Sequence, residues 1–477
     1  MGAAMFSTGT PEPPSPQRCG EVVARRRHRG RRARQTRGSG SAARVHRLAV
    51  VVVSMGLGLA SVLGAIVLAE WTVAPFTDPR FTPRVGAPDT DGPVVRPEFR
   101  VRTRTNAAGF RGPALPGPKP RGVYRLVVLG DAFTWGHGVR ERQAYPKRLE
   151  QRLNARRGTM HGRGSRVEVV NLGLVGAGPR DFLYHLEHTG LALAPDLVIV
   201  GLSAIDVDGA YQMRRFGVPS PLTAVPAARA TASAPRPWWR LAIARVAPNL
   251  TELASRTAHG VSAGPPEALA APRAGAAVHR PPAPIDVIAA LGDRYQRRLE
   301  IVARYTALPR PDRDAVDAVL GGTPHPADSR SASLVAALVD PDAKRDRILL
   351  RSAERREAWR ETGRTLERLV GVAHRRGAEV LLAVFPVAEE VDSDRWPALA
   401  SVGYRVDPLM LSDTTLPDRV RDVAMRSGAR FVDLVAPFRA HGADGRYFVL
   451  DEHWTGRGHA LAAARIAGAL GDASAPR

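Results

Sequence analysis

Five short apolar runs, each followed by a stretch with helical spacing, constrain this chain more than any other feature. They are RLVVLGD at 125–131, VEVVNLG at 167–173, DLVIVGLS at 196–203, EVLLAVFP at 379–386 and RFVDL at 430–434. Runs of this length, rich in Val, Leu and Ile and without polar alternation, read as strands buried on both faces. Helices are expected between and after them at 144–157, 180–188, 343–376, 417–427 and 456–470. In the long helix, Trp359, Leu366, Leu369, Val370 and Ala373 share one face and read as core. Repeated strand–helix units imply an α/β fold with a doubly wound parallel sheet and helices on both faces.

The alternation breaks at about 207–341, which reads as an insertion after the third strand. Residues 219–284 hold 12 prolines and two acids, so this part is expected to be partly disordered. Short helices are expected at 238–246 and 285–306, and Trp238 and Trp239 read as a cap on the α/β body rather than a membrane-surface helix.

The formal charge is +23, carried almost wholly by arginine, since lysine occurs only at 119, 147 and 344. Such a balance ordinarily raises nucleic acid as a partner, but its distribution argues otherwise. Residues 1–47 contain 11 Arg and two acids in a segment without hydrophobic periodicity, expected to be a disordered tail. Directly after it, residues 48–69 run 22 positions without a charge. At ~1.5 Å per residue that is about 33 Å of helix, enough to cross a bilayer. A cleavable leader is disfavoured, because its apolar region is shorter and ends at an A-x-A site. Seven Arg fall in 28–47 and two in 70–89, so the positive-inside rule places the tail in the cytoplasm and the remainder outside. The arginines then set topology and favour membrane lipid, with no nucleic acid expected: no aromatic residues interleave them. A Pro/Arg-rich lead-in at 70–122 joins the span to the first strand.

Open α/β sheets bind ligands at the carboxyl ends of their strands. Those ends read Gly130-Asp131-Ala132-Phe133-Thr134-Trp135-Gly136-His137-Gly138, then Asn171-Leu172-Gly173-Leu174-Val175-Gly176, then Gly201-Leu202-Ser203-Ala204-Ile205-Asp206. The last turn, before the C-terminal helix, is Asp451-Glu452-His453-Trp454. No cofactor is indicated. A lone cysteine, Cys19, excludes a disulfide scaffold and a four-cysteine zinc site. No His, Asp or Glu cluster has metal-ligand spacing in sequence, and Gly-Ala-Gly-Pro-Arg at 176–180 lacks the lysine and length of a phosphate loop. The acceptor-like Asn249-Leu250-Thr251 is too short a pattern to weigh.

Taken in order, these turns resemble the SGNH (GDSL) hydrolase family, over roughly 100–471 apart from the insertion. The lead-in Thr105-Asn106 through Gly109-Phe110-Arg111 is similar to a subgroup with T-N-x-x-G-F-R before its first strand, and Asp451-x-His453-Trp454 looks like the version in envelope acyl-transfer relatives. The resemblance implies a three-layer, flavodoxin-like α/β/α domain over 123–471, preceded by the single transmembrane helix. It implies ester hydrolysis or acyl transfer, often on carbohydrate, so an acylated glycan or small ester is the expected ligand. It also assigns roles: His453 as base, Asp451 as its orienting partner, and Gly176 as an oxyanion donor.

Two parts depart from the pattern. Ala132 stands where the family's nucleophilic serine is expected, and Ile205 where its oxyanion asparagine is expected. A methyl group cannot attack a carbonyl and an isoleucine side chain cannot donate a hydrogen bond. Asp131 is expected to fix the first turn through backbone N–H groups. Thr134 reads as a hydrogen bond within the first helical turn, Ser203 as a strand-end residue that could face the cleft, and His137 and His459 as structural or exposed. Three functions follow: a degenerate esterase or acyltransferase homologue that binds acylated glycan, an active enzyme using water or another nucleophile, and a non-enzymatic envelope scaffold. In the first, Asp451 and His453 either keep a binding role or only cap and pack the last helix.

Overall fold

The computed structural model describes residues 50–56, 58, 61, 83–155, 166–216, 225–226, 228–229, 282–321 and 329–471. The chain divides into two units, residues 1–77 with 244–254 and residues 78–243 with 255–477. In the first, residues 50–56 are helical and exposed; apart from 58 and 61, the rest of the expected span at 48–69 lies outside the described residues. Among the described residues, no helix is long and apolar enough to cross a membrane. The tail at 1–47, the expected helix at 238–246 and Asn249 also lie outside them.

The second unit holds the sheet. Strands β1 (Asp91–Arg96) and β2 (Phe99–Arg104) form an antiparallel hairpin, and β3 (Val123–Leu129), β4 (Arg166–Asn171), β5 (Leu197–Ser203), β6 (Glu379–Phe385) and β7 (Arg430–Asp433) form one parallel sheet. Its order is β4-β3-β5-β6-β7, with every neighbouring pair parallel. All five expected strands are present within two residues of their expected ends. Chain direction across the sheet reverses between β3 and β5, and the crevice at such a switch point is where ligands bind.

Helices cover both faces, as the patterning predicts. On one, Tyr145, Leu149 and Leu153 of the helix Tyr145–Ala155 meet Ile466 and Leu470 of the helix Gly456–Gly471 over β3, β5 and β6. On the other, Leu366, Leu369 and Val370 of the helix Ala353–Arg375 pack with Val420 and Val423 of the helix Thr415–Ser427.

Four expectations need correction. The helix expected at 343–376 is two helices, Ala343–Leu349 and Ala353–Arg375. Leu350 adopts a left-handed φ of 48°, and the Ser352 side chain accepts the Arg355 N–H at 3.1 Å to start the second helix. The helix expected at 180–188 ends at His185 and continues as a wider turn, Leu186–Gly190. The helix expected at 285–306 breaks into Pro284–Arg294 and Arg298–Thr306 around Gln296, whose φ is 57°. The helix Ala204–Phe216 runs unbroken through 207, where the strand–helix alternation is expected to break. The later part of 207–341 is ordered, adding helices Arg310–Gly321 and Ser329–Val339, and Leu291, Ile301, Val316 and Val335 are buried there in one cluster with Leu399, Val402 and Tyr404.

Candidate functional site

The first turn is built around a capped helix of four residues. Asp131 precedes Ala132–Trp135, and its carboxylate accepts the Phe133 N–H at 2.9 Å, as expected. Ala132 is buried there. The chain then turns through Gly136 (φ 83°) and Gly138 (φ 79°) on either side of His137. A Cβ on Gly138 would stand 2.5 Å from the Phe448 ring, so this backbone needs glycine for space as well as for its φ. The buried Arg111 fastens the turn from outside, donating to the carbonyls of Trp135 (3.1 Å), Gly136 and Val139 (2.6 Å) and lying 4.6 Å over the Trp135 ring. That is the structural work of the 105–111 lead-in: Asn106 shapes its loop by accepting N–H groups from Ala108 and Phe110, which brings Arg111 to the turn.

The second and third turns lock onto the first. Asn171 donates to the Thr134 carbonyl at 2.9 Å and accepts the Gly173 N–H at 2.9 Å. Thr134 does not bond within its helical turn; its buried hydroxyl meets the Tyr145 hydroxyl at 3.0 Å, because the helix directs it inward. Ser203 does not face the cleft either. Fully buried, it donates to the Asp206 carboxylate at 3.0 Å and stands 3.5 Å from that of Asp131, so it has no reach to a substrate. Burial pushes the Asp131 carboxyl up to about 6, and burial together with the facing Asp131 raises that of Asp206. Ile205 is 38% exposed at the start of the third-turn helix. Gly176 has a φ of 74°, and a Cβ there would lie 3.3 Å from the Arg84 guanidinium carbon.

The last turn is a loop closed by an antiparallel bridge between Tyr447 and Trp454. Trp454 is fully buried between Phe133, Phe385 and Phe438, with ring centroids 4.7, 5.0 and 5.1 Å away. Three side chains hold the loop from outside. Glu98, at the tip of the β1–β2 hairpin, accepts the N–H groups of Val449, Leu450 (2.7 Å) and Asp451 (2.8 Å). Arg395 donates to the Phe448 and Val449 carbonyls at 2.9 and 3.1 Å. Lys344 donates to both oxygens of Glu452, at 2.8 and 2.7 Å. Glu452 takes a left-handed φ of 67°, a strained geometry that the Lys344 pair helps hold.

So supported, Asp451 and His453 pair as expected, Oδ1 to Nδ1 at 2.7 Å. Burial opposes both charges, but the hydrogen bonds of His137 and His453 hold the Asp451 carboxyl well below the ordinary carboxylate range, and Asp451 in turn raises the His453 ring. The His453 ring lies 5.2 Å from that of Phe133, the neighbour of Ala132. His137 belongs to the same cluster: its Nε2 is 3.4 Å from Asp451 Oδ2 and its ring 4.7 Å from His453. His459, by contrast, is structural; it is buried, its Nδ1 accepts the Tyr145 N–H at 3.2 Å, and burial lowers its pKa to about 3. Among the described residues, His137, Asp451 and His453 offer three donor atoms within 4.8 Å of one another, close enough to hold one metal ion. Spacing in sequence gave no sign of this, because His137 lies in the first turn and the other two in the last.

Residues 345–476 match a family described as SGNH hydrolase-like domain, acetyltransferase AlgX. The matched part carries Asp451 and His453, whereas Ala132, Gly176 and Ile205 precede it. The match is to the C-terminal part of the chain and does not reach the first three turns. No curated protein matches the chain. Among solved structures, a catalytic mutant of an acetylxylan esterase from Geobacillus stearothermophilus is 13% identical, with 75% of this chain and 96% of that one covered and a TM-score of 0.32. An alpha/beta hydrolase from the metagenome of Lake Arreo, Spain, is 12% identical, with 73% and 95% covered and a TM-score of 0.32. TesA is 11% identical, with 72% and 97% covered and a TM-score of 0.31. Likeness at this level says nothing of activity.

Five residues at this site escaped sequence reasoning: Arg84, Glu98, His137, Lys344 and Arg395. Glu98 and Lys344 act on backbone and side chains far away in sequence, for which no motif exists. His137 had a signal, a histidine between two glycines in a turn after a strand.

Proposed function

We propose that this chain is a membrane-anchored, extracytoplasmic SGNH-type homologue of ester hydrolases and acyltransferases whose cleft binds an acylated glycan without forming an acyl-enzyme. The observation that carries the reading is the intact Asp451–His453 pair, at 2.7 Å, in a switch-point crevice whose nucleophile position is the buried Ala132. A base and its orienting acid are in place, but among the described residues the nucleophile position carries no hydroxyl. Thr134 and Ser203 are turned into the protein and bonded there. Of the oxyanion donors, the backbone at Gly176 remains, while Ile205 presents only hydrocarbon; one missing donor costs ~10²–10³ in turnover. Membrane anchoring rests on the uncharged run at 48–69 and the arginines before it.

The test is the double variant Ala132→Ser, Ile205→Asn, assayed on p-nitrophenyl acetate and an acetylated oligosaccharide. The variant is expected to hydrolyse ester at a rate lost on adding His453→Ala, whereas the parent binds the oligosaccharide without turnover. Turnover by the parent that is abolished by His453→Ala would overturn the reading in favour of an active enzyme.

A further inference from the structure

We propose that His137, Asp451 and His453 form a binding site for one divalent transition-metal ion of the zinc type. The inference is independent of the acyl reading, since it needs no ester and assigns the cluster a ligand of another class.

Three donors, two imidazole nitrogens and one carboxylate oxygen, lie within 4.8 Å of one another. This set is the one that borderline ions such as Zn²⁺ take when three protein ligands leave a fourth position for water; Mg²⁺ and Ca²⁺ require more oxygen. The separation of 3.4 Å between His137 Nε2 and Asp451 Oδ2 already matches the tetrahedral edge of about 3.3 Å that bonds of ~2.0 Å produce. His453 Nδ1 stands 2.7 Å from the other oxygen of that carboxylate, Oδ1, so an ion that replaces the hydrogen between them is held by both Asp451 oxygens, or by one after the carboxylate turns.

The scaffold around these donors is stiff. His137 sits between two glycines of fixed positive φ, in a turn whose carbonyls Arg111 ties down, and its ring packs edge-on against Phe99 at 5.4 Å. The opposite loop is held by Glu98, Arg395 and Lys344. Lys344 also engages the Glu452 carboxylate, and Asp451 is the oxygen donor of the cluster. Side-chain exposures of 14, 16 and 25% for His137, Asp451 and His453 leave an entry path for an ion and room for its water. Ester chemistry does not account for His137: orienting a base needs Asp451 alone.

The full chain, purified in detergent and stripped with a chelator, is titrated with Zn²⁺ by calorimetry and, separately, with Co²⁺ by visible absorption. One ion per chain is expected at this site, with the intense band of tetrahedral Co²⁺. His137→Gln and, independently, Asp451→Asn are each expected to weaken binding by at least about 100-fold and abolish the band. His441→Ala, at an exposed ring bonded to the Pro437 carbonyl, is expected to change neither. Zinc affinity and stoichiometry unchanged in both His137→Gln and Asp451→Asn, or a parent chain that binds no ion, would overturn the proposal and leave a hydrogen-bonded cluster. Ester or glycan binding plays no part in these readouts, so the two proposals fail separately.

Discussion

Replacing Arg111 by Met tests whether the lead-in is part of the site or only precedes it. Three buried carbonyls, those of Trp135, Gly136 and Val139, lose the Arg111 guanidinium, and that of Gly136 keeps only a long bond from the Val139 N–H at 3.4 Å. Leaving a buried acceptor unsatisfied costs about 1–3 kcal/mol, and partial access of water puts the three together near ~3–6 kcal/mol. The cation–π contact with Trp135 adds about 1 kcal/mol. Against this stands the cost of burying a guanidinium. Burial lowers the Arg111 pKa from 12.5 to about 10, which at ~1.36 kcal/mol per unit is about 3 kcal/mol recovered when the charge is removed. The net expectation is a loss of about 1–4 kcal/mol, with Arg111 still charged at neutral pH in the parent. Arg111→Lys is the sharper variant. Its ammonium keeps the burial cost but lacks the planar fork that spans carbonyls on both sides of the turn, so it is expected to be no more stable than the Met variant. Urea unfolding, read as a shift in midpoint at constant slope, measures both. Arg111→Met within 0.5 kcal/mol of the parent, or Arg111→Lys clearly above Arg111→Met, would refute the reasoning.

Two other perturbations probe the supports of the last turn. Glu98→Ala removes the shared acceptor of three consecutive N–H groups, and hydrogen exchange at 449–451 is expected to speed by at least tenfold, with little change in the β3 amides; unchanged exchange would mean that the hairpin merely lies nearby. Glu390 is buried near Arg439 with its carboxyl pushed up by burial from 4.5 to about 7. Because the folded value is the higher one, its contribution to stability is fully present below about 4.5 and is lost as pH rises through about 7, by up to ~3 kcal/mol. Glu390→Gln is expected to flatten the stability profile between those pH values, and an unaltered slope would count against the assignment.

What could be read in advance, and what could not, divides along the range of the interactions. The five parallel strands are buried on both faces, so each announces itself as an unbroken apolar run such as LVIVGLS. The hairpin strand FRVRTR alternates buried and exposed residues, a clean period of two, but its arginines made it look like part of a charged linker. The break at Leu350 was legible too, through Ser352 as a cap; the apolar face of the following helix concealed it. The site is different. Asp451 and His453 are two residues apart and were visible as a pair, whereas His137 reaches them only because Gly136 and Gly138 turn the chain through positive φ.

The way these supports are distributed also bears on function. Arg111 and Gly138 fix where His137 stands; Glu98, Arg395 and Lys344 fix where Asp451 and His453 stand. Ala132 needs none of these for its own sake, since Asp131 caps its helix and burial holds it. Two of these supports are costly: a guanidinium and an ammonium are kept out of water to place a histidine–aspartate–histidine cluster beside a position with no nucleophile. Packing alone would be served by apolar residues at Arg111 and Lys344, so the stabilising elements are arranged around the cluster as the working part of the cleft. A ligand of this chain is therefore expected to be held from the side of His137, Asp451 and His453, and substitutions at those three positions to weaken its binding more than any change at Ala132.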